Sequence, residues 1–152
     1  MSTQRVRAFL LQHAPDLTVT ELQQPIATVS QAAEAFGVES GQIAKSLSCQ
    51  IDDQVVMLVI TGDKRLDNRK YKDFFGVKAK LVPTKDVASL TGFPPGGVCP
   101  FGVDAGVRIY CDVSLTRYDD VLLAGGDLFS GVRIAPARLA IITGATWVDL
   151  SR

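Results

Sequence analysis

Two apolar segments near the middle of the chain predict the central strands of a β-sheet. Residues 43–51 alternate between an apolar face that also carries Lys45 and a face of small or polar residues, as in a strand with one face against a core. Residues 55–60 are apolar at every position, which is typical of a strand buried on both faces. A polar turn over 52–54 joins the two strands.

Capping and stop signals predict short helices around these strands. The clearest is a helix over 29–36, where Thr28 and Gln31 match a capping box and Gly37 can end the helix in a left-handed conformation. Comparable signals, including Asp67 as a cap and Pro136 at a first helical position, predict the other helices over 3–14, 68–75, 85–90 and 136–143.

The remaining predictions concern the inward face of one helix, the cap of the next helix and the other strands. In the helix over 68–75, Tyr71, Phe74 and Phe75 are expected to face the core, and Thr84 is the expected cap of the next helix. Short apolar runs predict strands over 17–22, 77–82, 107–111, 121–124, 132–135 and 146–148. Irregular alternation of strands and helices over 152 residues indicates one compact α+β domain, residues 1–152, on a mixed sheet.

A stretch rich in glycine and proline interrupts these elements at 91–102. It holds four glycines and three prolines, so neither a helix nor a central strand can form there. It also carries Phe93, Val98, Cys99 and Phe101, which a solvated linker would not need. Two interpretations stay open: a rigid turn between core elements, or a stiff loop whose bare backbone approaches a ligand.

Charge narrows the classes of function. Sixteen basic and sixteen acidic residues balance, which argues against a broad nucleic-acid footprint. Between Asp63 and Lys80, seven cationic side chains outnumber three acidic ones, enough for either a solvated helix face or a few phosphate contacts. No apolar run approaches the ~20 residues of a membrane span, and the first residues lack a signal-peptide pattern. A cytoplasmic protein without membrane association is therefore expected.

The residue inventory excludes several catalytic classes. Three cysteines without C-x-x-C spacing and one histidine, His13, predict no disulfide framework, no metal site and no cofactor. A Ser-His-Asp hydrolase is strongly disfavoured, because His13, expected at a helix end on the surface, is the only histidine and the sequence has no G-x-S-x-G elbow. Cys99 has no base near it in the sequence, so it is expected to be a packed thiol.

Lys45 is the one charge on the apolar face of its strand. An ammonium there is costly unless it is paired or opens into a cavity; otherwise it lies at a frayed strand start and reaches solvent. Both interpretations stay open. With the glycine loops at 92–102 and 125–127, Lys45 could bind an anion or a polarised carbonyl, or form a Schiff base.

Five motifs in a fixed order resemble those of one family. They are Thr28-Val29-x-x-Ala32-Ala33, Ile43-x-Lys45-Ser46-Leu47, Gly62-Asp63-Lys64-Arg65-Leu66-Asp67, Gly92-x-x-Pro95-Gly96-Gly97-Val98-x-Pro100 and Ala124-Gly125-Gly126. From about Leu17 to the carboxyl end the chain resembles the YbaK/EbsC family, whose domain also occurs as the editing insertion of bacterial prolyl-tRNA synthetases. The resemblance implies a mixed, barrel-like β-sheet flanked by short helices.

The resemblance also implies a function and a set of site residues. Family members are freestanding deacylases of mischarged aminoacyl-tRNA, often tRNA for proline carrying alanine or cysteine, so the expected partners are the tRNA acceptor end and prolyl-tRNA synthetase. The expected catalytic residues are Lys45, Gly96, Gly97 and Pro100. The expected substrate-binding residues are Thr28, Ser46, Val98, Cys99, Gly125, Gly126, Asp127 and Ser130. The expected tRNA-binding residues are Lys64, Arg65, Arg69 and Lys70.

These residues support a mechanism and one alternative. Lys45 would stay protonated against the terminal phosphate or the ester, and the main-chain amides of Gly96 and Gly97 would position the ester carbonyl. With no side-chain base evident, the substrate itself would activate the water. The alternative is a non-catalytic module that binds tRNA or a synthetase with the same fold.

Overall fold

The computed structural model describes residues 2–152, which alternate between short helices and short strands. The α-helices are α1 (Ser2–His13), α2 (Val29–Phe36), α3 (Asn68–Phe75), α4 (Thr84–Thr91) and α5 (Pro136–Thr143). The strands are β1 (Thr20–Glu21), β2 (Ala44–Ile51), β3 (Gln54–Thr61), β4 (Arg108–Asp112), β5 (Val121–Ala124), β6 (Ser130–Ile134) and β7 (Thr146–Val148). Short 3-10 helices lie at Ser40–Gln42 and Val113–Arg117.

The strands form two sheets. The larger has the order β2-β3-β4-β7, in which β2 and β3 are antiparallel while β4 and β7 are added in parallel. The smaller has the order β1-β6-β5 and is antiparallel. Neither closes into a barrel within residues 2–152; an isolated parallel bridge between Ile43 and Leu122 brings the start of β2 against β5. The predicted α+β class with a mixed sheet is confirmed.

β3 is buried on both of its faces. Every residue from 55 to 61 is buried. Val56 packs beneath α3 on one side of the sheet, whereas Val59 belongs to the cluster that holds Phe93 and Phe101 on the other side. The apolar sequence of the strand follows from this double burial, because an inward-facing polar side chain would need a partner on either face.

The ends of α2 and α3 are set by local hydrogen bonds. Thr28 Oγ1 accepts from the N–H of Gln31 at 3.1 Å, and the Gln31 side chain accepts from the N–H of Thr28 at 3.3 Å, which completes the predicted capping box. Gly37 ends α2 with φ 67°, a left-handed conformation that favours glycine. Asp67 caps α3 by accepting from two N–H groups of its first turn, both at 3.0 Å.

The strand predicted over 77–82 does not form. In that segment Leu81 alone pairs, in an isolated antiparallel bridge with Cys49 of β2. α4 begins at Thr84, so the chain turns away from the strand edge directly after Pro83. The segment therefore contacts the outer edge of β2 only near Leu81. Beyond this contact the edge of β2 is uncovered, and the candidate site lies there.

Three smaller predictions are also wrong. The strand expected over 17–22 shrinks to Thr20–Glu21, the two residues that pair with β6. Phe74 is 52% exposed, since it packs on the outside of an aromatic cluster rather than in the core. Thr84 lies inside the first turn of α4, where Pro83 occupies the cap position and no side chain caps the helix.

The loop over 91–102 is anchored to the core at both ends. Phe93 and Phe101 are fully buried. Arg5 of α1 donates to the carbonyl of Gly102 through two guanidinium nitrogens, at 2.6 and 3.1 Å. These contacts make the loop a rigid connection with a fixed position relative to α1.

Two kinds of feature are not found among the described residues. Over residues 2–152 no helix combines the length and apolar character needed to cross a membrane. In the same range no group of three or more His, Cys, Asp or Glu side chains is placed to hold a metal ion. The three cysteines are buried free thiols.

Asp112, at the end of β4, fastens the carboxyl-terminal segment to the sheet. Its side chain is buried and accepts from the N–H of Ser114 at 3.0 Å, the N–H of Leu150 at 2.7 Å and the hydroxyl of Ser151 at 2.7 Å. Burial alone would raise the pKa of Asp112, but these hydrogen bonds outweigh it and the pKa lies below its ordinary value.

Replacing Asp112 by Asn should lower the free energy of unfolding at pH 7 by about 2–3 kcal/mol, because an amide leaves buried donors unpaired. The folded-state pKa of Asp112 lies below the unfolded value, so its stabilisation is present above roughly pH 4 and is lost as pH falls through the folded-state pKa. Urea denaturation should show the difference shrinking in acid. Asp149→Asn, at an exposed ion pair, is the control, and an equal loss there would contradict the assignment.

Candidate active site

The outer edge of β2 is interrupted, and the interruption locates the candidate site. At one end Ile43 bridges Leu122 of β5. At the other end the carbonyl of Ser48 accepts from the N–H of Val82 at 2.9 Å. Between these points, the edge over residues 44–47 has no neighbouring strand in the described part of the chain. Such an edge presents unpaired main-chain groups.

A cavity of about 310 Å³ lies at this opening. Its volume is at the lower end of the range for small-molecule sites. Most of its walls are aliphatic side chains from β2, β5 and α2, with Phe36 as the one aromatic ring. Its polar side chains are those of Thr28, Lys45, Ser46 and Ser48, and none of the lining residues is Asp, Glu or His. The cavity can therefore hold a small, largely apolar group beside one cation.

Lys45 lines this cavity. The side chain is half-buried, and Nζ donates to the carbonyl of Lys64 at 2.6 Å. Burial lowers the pKa of Lys45 below its ordinary value; Asp63 opposes that shift, and Arg65 adds to it. The sequence left two environments open for Lys45, a cavity or bulk solvent. The structure favours the cavity, and the ammonium has a main-chain carbonyl as its hydrogen-bond partner.

Asp63 is held close to Lys45 by Arg117. The guanidinium donates to Asp63 Oδ1 at 2.7 Å and to Thr61 Oγ1 at 3.1 Å, and its hydrogen bond keeps the pKa of Asp63 below the ordinary value. A Cβ at Gly41 would lie 2.9 Å from Asp63 Oδ2, so glycine makes room for the carboxylate. The sequence analysis gave no role to these residues, because no motif links Arg117 or Gly41 to Lys45.

The 91–102 loop supplies one wall of the cavity. Pro95, Gly96 and Val98 are its lining residues. Gly96 has φ 83°, a left-handed conformation that favours glycine, and a Cβ there would collide with the side chain of Leu128. The wall thus brings bare backbone to the cavity, as one interpretation of the loop sequence expected.

Gly97, Cys99 and Pro100 lie behind this wall and do not line the cavity. The N–H of Gly97 donates to the carbonyl of Pro94 at 2.9 Å, so this amide closes a turn. A Cβ at Gly97 would lie 2.7 Å from the Cα of Asp127, and the two loops can therefore pack closely. The thiol of Cys99 is fully buried, and burial raises its pKa to about 12.

The second glycine loop supports the first one from behind. Gly125, Gly126, Asp127 and Ser130 are not among the lining residues. Asp127 Oδ1 accepts from the N–H of Phe129 at 2.8 Å and from the hydroxyl of Ser130 at 2.7 Å, and Ser130 is buried. This carboxylate stabilises its own loop, and the structure does not bring it to Lys45.

The four cations expected to contact tRNA are differently placed. Lys64 offers its carbonyl to Lys45. Arg65 is exposed and close enough to Lys45 to lower its pKa, and Arg69 is exposed on α3. Lys70 is engaged with the carboxyl-terminal segment through two hydrogen bonds, at 3.0 and 2.8 Å. Arg65 and Arg69 are therefore the exposed members of this group, whereas Lys64 and Lys70 are partly buried.

Phe36, at the end of α2, forms the aromatic part of the cavity wall. A Cβ at Gly131 of β6 would collide with this ring, reaching its Cε2 atom at 2.9 Å. Gly131 has an ordinary negative φ, so close packing, chiefly of the Phe36 ring, favours a glycine there. Sequence reasoning missed both residues, because the contact joins distant parts of the chain.

Comparison with known proteins relates this chain to translation editing. A family model described as the aminoacyl-tRNA editing domain matches residues 23–141. YwhH of Bacillus subtilis, an uncharacterised protein, is 39% identical over 154 residues, covering 100% of this chain and 98% of YwhH. EbsC of Enterococcus faecalis, described as a candidate Cys-tRNA(Pro)/Cys-tRNA(Cys) deacylase, is 24% identical over 127 residues, covering 82% and 77%.

A solved structure has the same fold. It is described as a candidate trans-editing enzyme for prolyl tRNA synthetase, and it matches with a TM-score of 0.91 and 34% sequence identity. The match covers 99% of this chain and 97% of that protein. The likeness therefore includes the elements that form the cavity as well as the sheets.

The electrostatic environment of Lys45 predicts how it titrates. Asp63→Asn should lower the pKa of Lys45 further, because the opposing carboxylate is lost, and Arg65→Gln should raise it. NMR titration of the Lys45 side-chain methylene adjacent to Nζ measures both shifts. Asp149→Asn, remote from Lys45, should leave the titration unchanged. A Lys45 pKa that did not fall in Asp63→Asn would contradict this account of the site.

Proposed function

The chain belongs to the aminoacyl-tRNA editing domain family, and on that premise we propose that it is a trans-editing hydrolase that deacylates mischarged aminoacyl-tRNA. The observation that carries the proposal is Lys45, a half-buried lysine that lines a small cavity on an interrupted strand edge and whose ammonium has a main-chain carbonyl as its partner. A single oriented cation beside bare backbone suits an activated ester, which needs modest electrostatic help to react.

The proposed substrate is tRNA for proline that carries alanine, cysteine or another small amino acid. Three observations support it: the small cavity, its aliphatic walls, and the absence of an acidic lining residue that could bind a basic side chain. The description of EbsC also names Cys-tRNA(Pro). Because one methylene changes binding by only ~1–3 kcal/mol, we expect neighbouring small amino acids to react at overlapping rates.

In this proposal Lys45 and the main chain of Gly96 act on the ester. The ammonium binds the terminal phosphate or the ester region of the acceptor end, and the amide of Gly96 positions the carbonyl. Loss of one such donor typically costs about 3 kcal/mol of transition-state stabilisation. Gly97 and Pro100 would act indirectly, since the N–H of Gly97 is used within its turn.

Water is the proposed nucleophile. It adds to the carbonyl carbon, the bond from that carbon to the ribose oxygen breaks, and the ribose oxygen takes a proton as the amino acid leaves. No carboxylate or imidazole lines the cavity, so we propose that the substrate supplies the base, either its neighbouring ribose hydroxyl or a cysteine thiol.

Exposed cations near the cavity suit the acceptor stem. Arg65 and Arg69 are the exposed cations of the expected set, and a few phosphate contacts imply weak, salt-sensitive binding. Prolyl-tRNA synthetase is the proposed partner, by likeness to the trans-editing protein of the same fold. Both substrate and partner would place the reaction in the cytoplasm.

The second candidate is a non-catalytic module that binds tRNA or a synthetase. One observation favours it: the described lining residues offer no side-chain base. A Schiff-base role for Lys45 is weaker, because its Nζ already donates to a main-chain carbonyl; borohydride trapping of a carbonyl ligand would support it.

Lys45→Ala should abolish deacylation of whichever substrates the wild type hydrolyses in a panel of alanyl-, cysteinyl-, seryl- and threonyl-tRNA. We expect a fall of at least 100-fold in rate, because the cavity loses its one cation. Lys85→Ala, on an exposed face of α4, is the matched control and should stay within a few-fold of the wild type.

A wild type that binds these tRNAs but hydrolyses none of them would favour the binding module. A 2′-deoxy terminal adenosine on the best substrate then tests the proposed base. An unchanged rate would eliminate the ribose hydroxyl and leave the thiol route for cysteine.

Gly131→Ala should narrow the cavity by displacing the Phe36 ring. The ratio of kcat/KM for alanyl-tRNA over cysteinyl-tRNA should rise about tenfold, because the narrower cavity admits the larger cysteine side chain less well. Adding Phe36→Leu should restore the ratio by relieving the collision. A ratio that stays constant while the melting temperature falls would mean that the Phe36 ring does not select the substrate by the size of its amino acid side chain.

A further inference from the structure

The main-chain groups of Ser46 face away from β3. In an antiparallel ladder, successive residues direct their N–H and C=O alternately toward the partner strand and away from it. Two hydrogen bonds identify the outward residues of β2: Ser48 accepts from Val82, and the N–H of Gln50 donates to the carbonyl of Lys80 at 2.8 Å. The pairing with β3 runs without a bulge along all of β2, so Ser46 is an outward residue too.

Ser46 is the outward residue that lies in the gap. Before it, the edge is closed by the bridge from Ile43 to β5, and after it by the contact of Ser48 with the 80–82 segment. Within the described residues, neither the N–H nor the C=O of Ser46 has a hydrogen-bond partner, and Ser46 lines the cavity. One donor and one acceptor therefore stand side by side at the cavity wall.

The aminoacyl group of the proposed substrate brings a charge into this cavity. Its α-ammonium donates several hydrogen bonds and is costly to desolvate without acceptors. No lining residue is acidic, and Lys45 is already a cation there. The hydroxyl of Thr28 already accepts from the N–H of Gln31. The hydroxyls of Ser46 and Ser48 also line the cavity, but a peptide carbonyl is the stronger acceptor, so the C=O of Ser46 is the acceptor best suited to the α-ammonium.

We propose that Ser46 binds the α-amino acid portion of the ester through its main chain. Its C=O accepts a hydrogen bond from the α-ammonium, and its N–H donates to the ester carbonyl oxygen. The arrangement extends the β2 edge by a single residue, in the way that extended peptides add to an open strand. This inference rests on the proposed function and names the atoms that recognise its substrate.

The assignment separates two kinds of recognition. The strand edge binds the part that all aminoacyl esters share, and the aliphatic wall with Phe36 measures the side chain. The N–H of Ser46 also adds a second main-chain donor, beside that of Gly96, to the ester carbonyl. The site should therefore favour esters with a free α-amine over esters of the same size without one.

The donor is tested by a matched pair of proteins. Ser46→Ala and a protein with lactic acid at position 46, introduced by nonsense suppression, differ only in an N–H replaced by an ester oxygen. The second should deacylate alanyl-tRNA(Pro) with a kcat/KM about tenfold below the first. The same pair at Gln50, whose N–H bonds Lys80 and which does not line the cavity, should differ in melting temperature but by less than about twofold in kcat/KM.

The acceptor is tested on the substrate. Alanyl and propionyl esters of the same tRNA differ by the α-amine, and each enzymatic rate is divided by the uncatalysed rate to remove the difference in intrinsic reactivity. The wild type should accelerate the alanyl ester roughly 10- to 100-fold more, the factor expected for a hydrogen bond to a charged group.

Equal acceleration of both esters would overturn the carbonyl contact. Equal activity of the two proteins altered at position 46, or equal losses at positions 46 and 50, would overturn the N–H contact. A wild type that hydrolyses neither ester would instead refute the proposed function, so the two failures are distinguishable.

Discussion

The candidate site depends on a strand edge that the fold leaves open. Unpaired edges are a liability, and proteins usually cover or shorten them. Here β5 covers the beginning of β2 through Ile43, and the 80–82 segment covers its end. The gap between them exists because each neighbour touches β2 only briefly, and the second turns into α4 at Thr84. These two short contacts leave room for the cavity, place Lys45 beside it and leave the main chain of Ser46 open.

Opposing effects on the ammonium make Lys45 useful at this opening. Burial favours its neutral form, as does Arg65, whereas Asp63 favours the charged form. Arg117 holds Asp63 in place and keeps it ionised, so a residue that does not line the cavity helps to set the charge near Lys45. The carbonyl of Lys64 adds a direct partner that carries no counter-charge, which leaves the ammonium able to attract an anion.

Local signals predicted the parts of this structure that local interactions determine. The capping box of α2 and the continuous apolar sequence of β3 can each be recognised from a few adjacent residues. The same holds for the motif around Lys45. What the sequence could not show is pairing over distance: Arg117 with Asp63, or the Phe36 ring on Gly131. The prediction of a strand over 77–82 was wrong for the same reason. The apolar residues of that segment do not indicate how many of them pair with a neighbouring strand.

Glycines near the site have roles that their shared motif does not distinguish. Gly96 brings backbone to the cavity, whereas the N–H of Gly97 is spent within a turn and its missing Cβ lets two loops pack. The loop therefore supplies shape together with one exposed amide, and the remaining donors must come from elsewhere. In the proposed site β2 supplies both of them, the ammonium of Lys45 by its side chain and the N–H of Ser46 by its main chain, so that a single strand would orient the charge and the carbonyl together.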